Sequence, residues 1–126
     1  LALADDRTEV VGRVADPIEY LARFRVHLCP LRYGAGLKLR LVDAAAAGTP
    51  TVMTPCAAEN LGLDDGLTAL LVAEDPVDQA RLARALLDDD GRWREASEGV
   101  RSLGAHRFTH AAFDAALAGL LDAVGL

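Results

Sequence analysis

Residues 25–54 read RVHLCPLRYGAGLKLRLVDAAAAGTPTVMT, and the fold is decided there. Arg25–Cys29 is short, apolar and ended by Pro30, which suits a strand. From Leu37 to Ala47 leucines and alanines recur at three- and four-residue spacing, and Gly48 supplies a stop, so a helix is expected. Thr51–Thr54 is β-rich and closed by Pro55, which predicts the next strand. Strand, glycine-bearing loop, helix and strand make one unit of a parallel sheet with a right-handed crossover.

Outward from this unit the alternation continues. On the amino-terminal side, Thr8–Val14 (TEVVGRV) predicts a strand, and Asp16-Pro17 opens a helix running to about Phe24. The opening Leu1–Ala4, followed by Asp5-Asp6, reads as the tail of an element cut off before it. On the other side, Ala69–Ala73 (ALLVA) predicts a fourth strand. Asp75-Pro76 then caps a helix to about Leu87, Gly91 breaks it, and Arg92–His106 and Thr109–Val124 predict two more. The expected fold is α/β: a truncated Rossmann-like parallel sheet of about four strands, helices on both faces, ending in a helical segment. Residues 1–126 are expected to form a single domain.

Composition narrows the function classes. With 52% apolar and 25% charged residues, the chain can bury a core without disulfides or metals. A formal charge of −6 argues against a sequence-independent nucleic-acid binder, which needs a basic face for phosphates. Cys29 and Cys56 stand apart with no CxxC or His-rich neighbourhood, and are read as reduced thiols. No apolar run approaches the ~20 residues of a transmembrane helix and no signal peptide pattern is seen, so the cytoplasm is the expected compartment. Lys38 is the only lysine, Ile18 the only isoleucine and Asn60 the only asparagine, while arginine is plentiful. That bias suggests a high-GC bacterial gene.

Ligands of such sheets bind beyond the carboxyl ends of strands, against helix N-termini. The loop Pro30–Lys38 lies at such an end. Gly34 and Gly36 let the backbone turn and approach a ligand, and the amides of Gly36, Leu37 and Lys38 would face it with the positive end of the helix dipole. Lys38 adds a full charge. These features describe an anion site suited to phosphates, and equally a plain strand-to-helix turn with an incidental lysine. Asp43 follows Lys38 by about 7.5 Å along the axis. It could accept bonds from a ribose beside such a diphosphate, or pair with Arg40 at i, i+3.

The run PLRYGAGLKLRLVDAAAAGTPTVMTP, followed by AENLGLDDGLTALLVAEDP, resembles the group 1 (family 4) glycosyltransferases over about residues 8–106. That resemblance implies a retaining, metal-independent enzyme of GT-B architecture. Its carboxyl-terminal domain holds a nucleotide diphosphate sugar, and the sugar passes to a glycan or lipid acceptor. It implies donor-site roles for Gly34, Gly36, Leu37 and Lys38 at the diphosphate and sugar, and for Asp43 at the ribose. The family commonly has two glutamates separated by seven intervening residues; here the second position is Asp43 and the first is Ala35, without a carboxylate. The resemblance further implies that 1–126 is a partial donor-binding domain, lacking an acceptor domain and the first two strands with their basic residue. On that view the chain alone transfers no sugar, needs no cofactor, and self-associates into a homo-oligomer through an exposed sheet edge.

Other features are weighed beside this one. Glu59, in the turn after Thr54-Pro55, is a further candidate donor-site residue. His106 and His110 have the i, i+4 spacing of a metal pair but no acidic partner, and are read as surface histidines. His27 is read as a hydrogen-bonded, partly buried histidine, and Trp93, Phe108 and Phe113 as packing residues. The rival function is a non-catalytic nucleotide-binding or receiver-like regulatory module. It would want acidic clusters at early strand ends, where this chain has Gly12-Arg13-Val14 and Cys29-Pro30-Leu31.

Overall fold

Aspartates and threonines start nearly every helix of this chain. The computed structural model describes residues 5–126, so Leu1–Ala4 lie outside it. Asp16 caps α1 (Pro17–Leu21), Thr54 caps α3 (Pro55–Ala58), and Asp64 caps α4 (Asp65–Leu71). Asp75, Asp89 and Thr109 cap α5 (Pro76–Asp88), α6 (Asp90–Arg107) and α7 (His110–Ala123). Each side chain accepts a bond from an amide of the first turn, satisfying donors the helix leaves unpaired. The exception is α2 (Leu39–Ala47), where Lys38 occupies the cap position and makes no side-chain cap bond. Gly48, at φ 71°, closes α2 in the left-handed conformation.

The sheet is smaller than the sequence predicts. Strands β1 (His27–Cys29) and β2 (Thr51–Met53) pair in parallel, His27 opposite Thr51 and Cys29 opposite Met53. The expected strand at Ala69–Ala73 is instead the end of α4, and only Val72 makes an isolated parallel bridge to Met53. The short apolar run fits either period, and the Asp64 cap tips it to helix, with Leu67 and Leu71 buried at i, i+4. Thr8–Val14 forms no strand. It is exposed apart from half-buried Val14, and its pairing among the described residues is the antiparallel bridge from Asp5 to Thr8. β-branched residues favour a strand only where a neighbour supplies ladder bonds and packing. The α/β class and the parallel unit at residues 27–53 therefore stand, with two strands among the described residues in place of about four.

The core gathers where α2, α4, α5 and α6 meet this sheet. Cys29, Leu41, Val52, Met53, Leu67, Leu71, Leu86 and Val100 are buried in one cluster. Helix α2 presents Leu41, Ala44 and Ala45 inward at i, i+3, i+4. Gly104 of α6 packs against α2, where a Cβ would lie at ordinary contact distance, 3.5 Å, from Ala45. Trp93 is a packing residue, its indole donating to the Arg25 carbonyl at 2.7 Å while the Arg25 guanidinium lies over its ring. Helix α7 is different, with Phe113, Leu117, Leu120 and Leu121 all exposed. Among the described residues, no helix is long and apolar enough to cross a membrane.

Candidate functional site

The carboxyl end of β1 feeds the loop 30–38, whose path depends on its glycines. Gly34 and Gly36 take φ values of 141° and 74°, which residues with a Cβ rarely adopt. The helix that follows starts at Leu39, two residues later than the sequence suggests. The amides of Leu39 and Arg40 are thus the first to lack partners within α2, with Gly36, Leu37 and Lys38 leading into them. Leu37 is exposed.

Lys38 is largely turned inward. Its ammonium donates to the Cys56 carbonyl at 2.8 Å and lies 3.9 Å from the Glu59 carboxylate, with only 8% of the side chain exposed. The Cys56 thiol in turn points at the Gly34 carbonyl, 3.7 Å away. The Thr54 hydroxyl donates to the Leu31 carbonyl and caps α3. Gly34, Lys38 and Glu59 are therefore brought together, and the glycine loop is fastened to the segment following β2.

Asp43 lies on another side of α2. Half-buried, it lines a cavity of about 370 Å³ together with Val14, Tyr20, His27 and Arg40. Arg40 and Asp43, three residues apart, share a helix face. They make no ion pair within 4.0 Å; the pairs formed among the described residues involve other partners. His27 lines the same cavity, its Nδ1 3.0 Å from the Thr51 hydroxyl. Burial first, and the Arg40 charge second, hold its imidazole below the usual histidine range. Burial likewise pushes the Cys29 thiol up, against the opposing charges of Arg40 and Lys38.

A further cavity, of about 560 Å³, opens beside Pro30 and Thr54 at the strand ends, lined also by Arg32, Glu74 and Gln79. The sequence gives little sign of it, since these residues come from three separate segments. Gln79 is buried with its amide donating to the Ala73 and Glu74 carbonyls, so it holds that wall rather than facing out. The larger cavity is less suited to a nucleoside diphosphate, because its lining sets two carboxylates, Glu74 and Asp75, against one cation, Arg32. His106 and His110 are exposed, and His106 Nδ1 donates to the Ser102 carbonyl of its own helix.

The model of the family described as Glycosyl transferases group 1 matches residues 1–89. The chain belongs to that family. The match takes in the glycine loop, α2, β2 and both cavities, which in this glycosyltransferase lie within residues 12–79. No curated protein matches the chain, and no solved structure does.

Proposed function

We propose that this glycosyltransferase chain binds a nucleotide diphosphate sugar at the start of α2, as the carboxyl-terminal, donor-holding domain of a retaining, metal-independent GT-B enzyme. One observation carries the reading: Asp43 sits half-buried, without an ion pair among the described residues, in a cavity that adjoins the uncapped first turn of its own helix. A ribose bonded to Asp43 would run its diphosphate toward the amides of Leu39 and Arg40. The separation of about 6 Å, four residues at 1.5 Å each, is of the order a nucleotide spans.

The other residues find roles around this axis. The positive φ of Gly34 and Gly36 keeps side chains off the loop, so diphosphate and donor sugar can approach its backbone. Gly36, Leu37 and Lys38 contribute amides, and Lys38 a nearby charge. Glu59, beside Lys38, is the carboxylate on the donor-sugar side, where Ala35 offers none. Fixed amides and cations would stabilise the diphosphate as it departs. The acceptor, a glycan or lipid, is held by a separate domain of the intact enzyme, and this chain alone binds without transferring. Self-association through the free edge of β1 completes the proposal.

Titration of a nucleoside and its diphosphate by ligand-observed NMR tests the site. Asp43→Ala should weaken both ligands, since both carry the ribose hydroxyls. Unchanged binding of both would refute the ribose contact, and glycoside formation by the chain alone would refute the division of labour.

A further inference from the structure

We propose that Arg40, rather than Lys38, is the side chain that grips the donor diphosphate; the inference rests on the donor-site reading above and extends it. Lys38 is committed to the Cys56 carbonyl and is nearly covered, so its ammonium has little left to offer a ligand. Arg40 is exposed, and it forms no ion pair among the described residues, unlike Arg23, Arg25, Arg81, Arg84 and Arg92. It lines the same cavity as Asp43. A guanidinium left without a carboxylate three residues away is available to an anion, and its planar fork matches two phosphate oxygens at once.

Position adds to availability. Arg40 is the second residue of α2, so its backbone amide and its side chain belong to the same uncapped turn. An anion held there would meet partial charge from the amides and full charge from the guanidinium. Asp43 lies about 4.5 Å further along the axis on the same face, leaving the ribose next to the phosphate it carries. The Arg40 charge also reaches His27 and Cys29, the first and last residues of β1.

The test uses the full chain, with Arg40→Ala and Arg40→Lys. The probes are uridine, guanosine and adenosine diphosphates, the matching nucleosides, and inorganic pyrophosphate. Arg40→Ala should weaken the preferred diphosphate and pyrophosphate roughly tenfold, the scale of one charge-assisted hydrogen bond. Nucleoside affinity should stay within about twofold, as for a surface substitution away from the ligand. Arg40→Lys should recover part of the loss. Diphosphate affinity unchanged in Arg40→Ala, while Asp43→Ala still weakens nucleoside and diphosphate, would overturn the role of Arg40 and leave the donor site standing. An equal loss for nucleoside and diphosphate would overturn it too. Failure of the unaltered chain to bind any probe would overturn both readings.

Discussion

The ammonium of Lys38 lies 2.8 Å from the carbonyl oxygen of Cys56, joining the start of α2 to the helix that follows β2. The bond crosses between two segments that leave adjacent strands, and so fixes the glycine loop between them. A charge-assisted bond with its donor almost covered contributes about 1.5–3 kcal/mol. Lys38→Met should lower the unfolding free energy by that order. Glu59→Gln should change it by less than about 0.5 kcal/mol, because the pair spans 3.9 Å and Glu59 is mostly exposed. Urea unfolding of the two variants provides the comparison, and equal effects would show that the Cys56 contact is not what holds Lys38.

His27 gives a pH-dependent contribution. Its folded-state pKa is depressed below the ordinary 6.5, so protons bind the unfolded chain more readily. The contribution is complete above that ordinary value and is lost as pH falls through the folded-state value. Between about pH 7.5 and pH 5 the urea midpoint should drop less in His27→Gln than in the unaltered chain. An identical drop in both would mean that His27 does not carry it.

Gly36 has open space where a Cβ would go, yet its φ of 74° strains any other residue. Gly36→Ala should cost about 1–2 kcal/mol if the loop keeps its path. Relaxation into another path would move the amides and weaken diphosphate binding instead. Thermal unfolding and a diphosphate titration together register either outcome, and no change in both would contradict the assigned geometry.

Among the described residues, one side of β1 has no strand beside it, and Leu28 on that strand is 55% exposed. Free strand edges with apolar side chains tend to pair with another chain. Sedimentation at high micromolar concentration should report a dimer or larger species, and Leu28→Glu should shift it toward monomer. A monomer before substitution would refute the edge pairing.

How much of this was legible in the residues differs by element. The unit from His27 to Met53 was, because Pro30, Gly48 and Pro55 punctuate it and α2 repeats at helical spacing. The helix starts at Asp16, Asp75 and Thr109 were also readable from their caps. Thr8–Val14 misleads because strand propensity is realised only against a neighbour. Ala69–Ala73 misleads because five apolar residues carry no period, while the decisive signal, Asp64, lies outside the run. At the site, the glycines and Asp43 announce themselves by type and spacing. The division of cations does not. Lys38 and Arg40 look interchangeable in sequence, and only packing shows one turned toward Cys56 and the other lining the cavity with Asp43.

The central claim, that a nucleotide lies along α2 from its first turn to Asp43, is tested most directly by amide chemical-shift mapping of the ¹⁵N-labelled chain. Uridine, guanosine and adenosine diphosphates would each be added to saturation. For the diphosphate that binds, the largest shifts should fall on Gly36, Leu39, Arg40 and Asp43, with His27 and Val14 following at the cavity wall. Shifts centred on Arg32, Glu74 and Gln79 would move the ligand to the other cavity, and no shifts with any of the three would contradict the account.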